Sequence, residues 1–210
     1  MSMKSRKQRE FERRGEEILA AALSLFATDA WEEVTVEQIA NKAEVGKGTV
    51  YKHFTSKYEI YAHLVIGFQH QTIDSVRQID TNLPVLEQFS LRLQAIWDTH
   101  LSSRELHRVF LYCSRPEFRS KLCSETISTL DNIEKQLGEM SYQLVTDGIA
   151  QGIFPDRPYE LLMFGVRASL WGAIELIWSG HLGDIDQKAY LQELDRFIIA
   201  GLTGPDLLNK

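Results

Sequence analysis

The sequence predicts an all-α protein in which a small helix-turn-helix domain precedes a larger helical domain. Three observations support this fold class. Apolar residues recur at three- and four-residue spacing along most of the chain, a helix-capping pattern begins at Thr35, and prolines and glycines stand between the apolar segments. We divide the chain into a basic N-terminal tail (1–14), a helix-turn-helix domain (15–66) and a C-terminal helical domain (67–210).

The first helix is predicted over roughly residues 10 to 29, where one face carries Ile18, Leu19, Ala22, Leu25 and Phe26. The segment before it is basic, and its cations include Lys4, Arg6, Lys7 and Arg9. The chain as a whole has a net charge of −6, although residues 1–63 are neutral with ten basic and ten acidic groups. A basic tail on a neutral domain can reach the DNA minor groove or flanking phosphates, and an unstructured solubilising tail fits the composition equally well.

Two short helices and the start of a longer helix follow. Thr35 is a good N-cap with Gln38 three residues later, which predicts a second helix that stops by about Val45. A third helix is expected from Gly46 to Phe54, in the segment GKGTVYKHF, and a fourth from Lys57. Two short helices joined by a tight turn and braced by longer neighbours form a helix-turn-helix unit.

The third helix has two unlike faces at about 100° per residue. Val50 and Phe54 fall on the inner side, whereas Gly48, Thr49 and Lys52 cluster on the opposite side. A small and basic outer face suits a helix whose backbone approaches the floor of the DNA major groove. Tyr51 and His53 flank this face, where their side chains can reach phosphate oxygens. Lys47 and Lys52 can donate to guanine, and the Thr49 methyl group can contact thymine.

The segment TVEQIANKAEVGKGTVYKHFTSKYEIYAHLV, residues 35 to 65, closely resembles the DNA-binding domain of TetR-type transcriptional regulators. The resemblance is specific over roughly residues 12 to 66 and extends beyond them only as a pattern of helices. It implies a homodimeric, all-helical repressor that binds operator DNA. A two-fold dimer in turn predicts an approximately palindromic operator in double-stranded DNA. The resemblance also implies that the C-terminal domain dimerises and binds a small-molecule inducer, whose binding releases the repressor from DNA.

The resemblance also assigns roles to individual residues. Thr35 is similar to the family's contact between a helix start and phosphate, and Lys57 to the phosphate-binding lysine at the start of the fourth helix. The base-facing positions of the family correspond to Lys47, Gly48 and Thr49. Its phosphate-clamping positions correspond to Tyr51 and His53. Glu44 departs from the family pattern because it stands where the turn commonly has glycine, and Gly46 and Ala30 depart from the usual serine and glycine. If Glu44 adopts the positive φ that glycine adopts at this place, the turn is strained, because a non-glycine residue at positive φ costs on the order of 1 kcal/mol.

The C-terminal domain reads as further helices. We expect a long helix over about 116–150 with Gly152 as its C-cap, an apolar helix over 159–179, and an amphipathic helix over 190–202. The helix over 159–179 is apolar around most of its circumference and therefore has to be covered on most sides. Two such helices from each of two chains would form a four-helix dimer interface, and a purely intramolecular core is the alternative.

An inducer is expected between the helices of this domain, against aromatic side chains or isolated polar ones. The candidates are Trp97, His100, Phe110, Tyr112, Tyr142, Trp171, Glu175 and Trp178. Among them, Glu175 is expected to be buried among apolar neighbours, where it needs Arg167 or a cationic ligand as a partner. Alternatively, Arg108, Arg115 and Arg119 could bind an anionic ligand such as an acyl-CoA.

Other functional classes have weaker support. The histidine pairs seven residues apart lack a third ligand at suitable spacing, and no phosphate-binding loop or nucleophile elbow occurs, so we expect no enzyme activity, no metal site and no cofactor. The sequence predicts no transmembrane helix and no signal peptide, which favours a cytoplasmic protein. Cys113 and Cys123 suit a reducing compartment. A non-catalytic adaptor that uses the N-terminal helices for protein contacts is the alternative function, but its contact face would be more apolar.

Overall fold

The structure, a computed structural model, describes residues 5–28 and 30–204, and every regular element in those residues is helical. The predicted all-α fold class is therefore confirmed. The elements are α1 (Arg6–Leu25), a 3₁₀ turn (Trp31–Glu33), α2 (Val36–Lys42), α3 (Lys47–His53), α4 (Lys57–Arg77), α5 (Val85–His100), α6 (Arg104–Cys113), α7 (Pro116–Arg119), α8 (Ser124–Ala150), α9 (Tyr159–Trp178) and α10 (Gln187–Thr203).

The first helix begins earlier than the sequence predicted. The Ser5 hydroxyl accepts a hydrogen bond from the Gln8 backbone N–H at 3.2 Å and caps α1, so most of the predicted basic tail is helical. Arg13 supports these first turns because its guanidinium binds Glu10 and Glu17, each at 2.5 Å. The helix also ends earlier, at Leu25 instead of residue 29. Lys4, another cation of the predicted tail, lies outside the described residues.

The prediction of a single long helix over 116–150 is wrong, because the structure has two helices there, α7 and α8. Phe118 on α7 is fully buried, which fixes this short helix in the core. The buried carboxylate of Glu59 on α4 accepts the backbone N–H of Cys123 at 2.7 Å and caps the start of α8. The predicted end of the long helix is confirmed, since α8 stops at Ala150 and Gly152 has a φ of 70°.

The chain packs into two compact units. The first unit comprises residues up to His70 together with Ser103–Ile133. Its core is built by α1 to α4 with residues that lie far away in sequence, among them Val109, Phe118 and Leu130. The apolar faces of the N-terminal helices are covered partly by α6, α7 and the start of α8. The first unit therefore includes residues that lie well past residue 66, where the sequence predicted the domain to end.

The second unit comprises Gln71–Ser102 and the residues from Glu134 onward. Its core joins α5, α8, α9 and α10 around Trp97, Leu170 and Ile174. The α9 helix is covered on one side only, where Leu162, Val166 and other side chains are buried. Its opposite side exposes large apolar side chains within the chain, namely Leu161, Phe164, Trp171 and Leu176.

Candidate DNA interface

The α2 helix starts with the predicted capping box. The Thr35 hydroxyl accepts the Gln38 backbone N–H at 3.2 Å, and the Gln38 side-chain oxygen accepts the Thr35 backbone N–H at 2.8 Å. These reciprocal hydrogen bonds satisfy two donors that the start of a helix would otherwise leave unpaired. On its inner side α2 buries Ile39 and Ala40. The cap therefore fixes the end of α2 at which Thr35 was expected to meet phosphate.

The turn between α2 and α3 carries the strain expected at Glu44. The φ of Glu44 is 54°. No other non-glycine residue in the described part of the chain has a positive φ. Left-handed backbone at such a residue costs on the order of 1 kcal/mol. The Val45 backbone N–H donates to the Ala40 carbonyl at 3.0 Å and closes the turn. The Glu44 side chain is exposed, so its negative charge lies beside α3.

The α3 helix presents its two faces as predicted. Val50 is 0% exposed and Phe54 5% exposed, and both belong to the core of the first unit. On the outer side Gly48, Tyr51 and Lys52 are exposed and Thr49 is half-buried. A Cβ atom added at Gly48 would meet no atom within 4 Å. Packing inside the chain thus does not require glycine at this position, which leaves the approach of an external surface as a reason for it.

Two lysines of the predicted interface have partners within the protein. Lys47 Nζ lies 3.9 Å from the Glu37 carboxylate on α2, and both side chains are largely exposed. Lys57 Nζ donates to the Glu32 backbone carbonyl at 2.5 Å and lies over the Tyr61 ring. Each ammonium group has three N–H donors, so both lysines keep donors for DNA beside these internal contacts. Sequence reasoning missed Glu37, whose signal is an acid two residues after the N-cap.

His53 is packed against α1. Its ring stacks on the Phe11 ring with centroids 3.9 Å apart and an interplanar angle of 22°. Burial lowers the pKa of His53, and the positive charge of Arg14 lowers it further. The neutral imidazole is therefore favoured near pH 7, and it can donate one N–H to phosphate. Sequence reasoning missed Phe11, for which the signal is a single aromatic residue inside a charged segment.

The eight predicted ligand-binding residues are not brought to one place. Phe110 and Tyr112 lie in the first unit, where Tyr112 packs edge-on against Trp31 at 5.4 Å between ring centroids. The remaining six lie in the second unit. Within it, the rings of His100 and Trp171 make an edge contact at 5.1 Å. Tyr142 is exposed and meets the ring of Tyr159 at 5.3 Å.

Two further polar groups of the second unit bear on the ligand prediction. The indole N–H of Trp97 donates to the Asp195 carboxylate at 2.8 Å. The indole N–H of Trp178 is buried and has no hydrogen-bond partner among the described residues. Glu175 corrects the prediction, because its side chain is exposed within the chain and makes no ion pair with Arg167 in the described residues. The reason is that Glu175 lies on the uncovered side of α9.

The three arginines considered for an anionic ligand are all engaged within the first unit. Arg108 donates to the Phe26 carbonyl at 2.5 Å, Arg115 lies over the Tyr112 ring at 5.2 Å, and Arg119 pairs with Asp131. Burial raises the pKa of the Cys113 thiol. Cys113 and Cys123 are both free cysteines. None of these residues was predicted to contact DNA, and their contacts are those of a packed core and its rim.

Comparison with known proteins identifies this helical arrangement. A family model described as bacterial regulatory proteins of the tetR family matches residues 18–64, which run from α1 into α4. The HTH-type transcriptional repressor KstR2 of Mycobacterium tuberculosis is 27% identical over 193 residues, which cover 91% of this chain and 93% of that protein. These similarities support a TetR family transcriptional regulator.

Solved structures of transcriptional regulators share the fold of this chain. The structure of the ketosteroid transcriptional regulator KstR2 of Mycobacterium tuberculosis matches with a TM-score of 0.70 and 25% identity, covering 92% of this chain and 96% of that one. The fatty acid degradation regulator FadR of Bacillus halodurans has the same fold, with a TM-score of 0.69 at 17% identity over 94% of this chain and 97% of that chain.

The similarity to named transcriptional repressors supports a DNA-binding transcriptional regulator and does not favour the adaptor function. TetR family regulators are non-enzymatic and in general soluble and cytoplasmic. Within residues 5–28 and 30–204 no group of three His, Cys, Asp or Glu side chains is placed to hold a metal ion. One helix, α9, is long and apolar enough to cross a membrane by length and composition, a test that core helices of soluble proteins also pass.

Proposed function

We propose that this TetR family regulator is a homodimeric repressor that binds a palindromic operator through α3 and leaves it when a small hydrophobic inducer binds. The observation that carries the DNA-binding mode is the outer surface of α3. Packing within the chain does not require glycine at position 48, and the side chains of Lys47, Tyr51 and Lys52 around it are exposed. Such a surface lets the helix backbone come close to base edges.

We assign base contacts to Lys47, Gly48, Thr49 and Lys52, and phosphate contacts to Thr35, Tyr51, His53 and Lys57. Phosphate contacts set the affinity and its dependence on salt, whereas base contacts set the sequence preference. Binding brings a base into competition with Glu37 for Lys47, whereas Lys57 can keep the Glu32 carbonyl and give another N–H to a phosphate. The partial burial of His53 supports a contact made by a neutral imidazole.

Selection of bound sequences from a random duplex pool, repeated at two salt concentrations, tests this assignment. We expect an enriched palindrome, because two α3 helices related by a two-fold axis lie about 34–36 Å apart or a multiple of that distance. Tyr51→Ala should weaken binding to operator and random DNA alike, whereas Thr49→Ala should change the selected sequence. Equal losses on both kinds of DNA for both variants would contradict this division between phosphate and base contacts.

The uncovered side of α9 supports the proposed dimer. Leu161, Phe164, Trp171 and Leu176 are exposed on it together with small residues such as Gly165 and Gly172. On the neighbouring α10, Phe197 is exposed as well. A contiguous apolar surface of this kind on a water-soluble regulator marks an interface. An isologous pairing of α9 and α10 from two chains would cover it.

Sedimentation of the Phe164→Glu variant tests the dimer. Each interface buries two copies of the residue, so we expect the variant to sediment as a monomer at concentrations where the unmodified protein is a dimer. Leu91→Glu, which changes an exposed leucine on α5, is the matched control and should remain dimeric. A Phe164→Glu dimer of unchanged stability would exclude this face of α9 from the interface.

The inducer is assigned to the second unit, with Trp97, His100, Trp171 and Trp178 as its contacts. The support is the buried indole N–H of Trp178, which is a donor without a partner among the described residues. A mostly apolar ligand with one acceptor group would satisfy it. Relatives described as a ketosteroid regulator and a fatty acid degradation regulator suggest a ketosteroid and a long-chain fatty acid as the first probes.

Tryptophan fluorescence during titration with each probe, followed by release of bound operator, tests the inducer assignment. A ligand that binds this region should change the fluorescence and weaken operator binding over the same concentration range. Trp178→Phe should reduce the affinity for that ligand and leave operator binding without ligand unchanged. If Trp178→Phe binds the ligand as tightly as the unmodified protein, the ligand lies elsewhere.

A further inference from the structure

We infer that the first turn of α1 is a second DNA-contacting surface, which binds phosphates flanking the sequence read by α3. The inference rests on the proposed function, because α3 has to lie in the groove for the neighbouring helix to reach the backbone. Three observations on the described residues carry it: the charge of the first turn, its helical form and its attachment to α3.

The charge of this turn is unfavourable for the isolated helix. Arg6 and Lys7 occupy the first two positions of α1, and the first turn contains no acidic residue. Cations at this end oppose the helix dipole. No ion pair to Arg6 or Lys7 is present within residues 5–28 and 30–204, whereas Arg13 is held by two carboxylates. Glu10, one turn further along α1, attracts Arg6 electrostatically but forms its ion pair with Arg13. Cations that stand at the unfavourable end of a helix without an ion pair in the described residues are characteristic of a functional surface.

The turn is also fixed next to the recognition helix. Phe11 remains 52% exposed, yet its ring stacks on His53, the last residue of α3. Further along α1, a Cβ atom at Gly15 would lie 3.4 Å from His53 Nδ1, so the two helices approach closely here. Lys7 precedes Phe11 by four residues and shares its face of the helix, one turn or about 6 Å nearer the N-terminal end of α1.

These features select the DNA backbone as the partner. The basic turn lies one helical turn before Phe11, whose ring stacks on His53, a residue assigned to DNA. A helical arm that is held in place by an aromatic stack loses less conformational freedom on binding than a flexible tail does. Phosphates just outside the sequence read by α3 are the anions nearest to this position, and contacts to them carry no base preference.

The test measures operator affinity as a function of salt, on a long duplex and on a duplex trimmed close to the selected palindrome. Lys7→Ala should lower the magnitude of the salt slope on the long duplex by about 0.9 per protomer, or about 1.8 per dimer. The selected sequence should not change. The unmodified protein should bind the trimmed duplex more weakly, whereas trimming should have little effect on Lys7→Ala.

Two further variants separate the arm from general effects of charge. Lys188→Ala is the matched control, because Lys188 is also exposed in the second position of a helix, α10. It should keep the salt slope of the unmodified protein. Phe11→Ala removes the stack and keeps every charge, so it should lose part of the affinity gained from flanking DNA, while Phe11→Tyr should retain it. Circular dichroism melting of each variant verifies that α1 remains folded.

The outcomes distinguish this inference from the proposed function. If Lys7→Ala and Lys188→Ala have equal slopes on the long duplex, while Lys52→Ala lowers the slope, α3 binds DNA and the first turn of α1 does not. If the unmodified protein selects no sequence at all, both proposals are overturned. The flanking contact is established if Lys7→Ala has a smaller salt slope than Lys188→Ala on the long duplex and binds the long and trimmed duplexes with the same affinity.

Discussion

The buried carboxylate of Glu59 gives a quantitative prediction about the stability of the first unit. Glu59 lies on α4 and is 4% exposed. One of its oxygens accepts the Cys123 backbone N–H at 2.7 Å, and the other accepts the Thr126 hydroxyl at 2.6 Å. A single side chain therefore joins the helix that follows α3 to the start of α8, across 64 and 67 residues of sequence.

The size of the effect follows from these two hydrogen bonds. Hydrogen bonds to a charged group contribute about 1.5–3 kcal/mol each. Glu59→Ala removes both acceptors, one from the half-buried Cys123 N–H and one from the buried Thr126 hydroxyl, so we expect a loss of about 3–5 kcal/mol in the free energy of unfolding. Glu59→Gln keeps an oxygen for the Cys123 N–H, and its amide can donate to the Thr126 hydroxyl oxygen. We expect it to cost about 1–2 kcal/mol.

Urea denaturation followed by circular dichroism, at one fixed protein concentration, measures both variants. Glu16→Ala is the control, because Glu16 is exposed on α1 and its replacement should change stability by less than about 0.5 kcal/mol. A Glu59→Ala variant as stable as this control would refute the reasoning. Equal losses for Ala and Gln would show that the negative charge, not the pair of acceptors, is what the start of α8 requires.

Three other predictions concern single residues of the first unit. Glu44→Gly should raise the free energy of unfolding by about 0.5–1 kcal/mol in the same urea assay, because relief of the left-handed backbone exceeds the entropy that glycine adds to the unfolded chain; a loss of stability would mean that the Glu44 side chain contributes a favourable contact. Burial lowers the pKa of His107 from 6.5 to about 4, so between these pH values only the unfolded state takes up a proton. The free energy of unfolding should therefore decline as the pH falls from 6.5 towards 4, and His107 should contribute no pH dependence above pH 6.5. His107→Gln should remove that part of the decline in urea midpoints measured at pH 7.5 and 5, and an unchanged decline would assign it to other groups. Glu37→Gln should strengthen binding to random DNA by a few-fold in titrations at low salt, since it removes a negative charge 3.9 Å from Lys47 Nζ; unchanged binding would place Glu37 outside the DNA's reach.

Much of the candidate site was predictable because its signals are local. The capping box at Thr35, the strain at Glu44 and the two faces of α3 depend on residues within one or two turns of each other. Short-range hydrogen bonds and helical periodicity express such signals directly in the sequence. The exposed side of α9 was predictable for the same reason, since the helix is apolar around most of its circumference and has only one covered side.

The sequence by itself determined the helical fold class, the helix-turn-helix segment and the chemistry of the α3 surface, because each depends on neighbouring residues. Only the tertiary structure decided which distant groups meet. It placed Glu59 at the start of α8 and so divided the helix expected over 116–150, stacked Phe11 on His53, and left Glu175 on the uncovered side of α9. Such contacts join residues tens of positions apart, and no pattern along the chain encodes them until packing chooses which faces are covered.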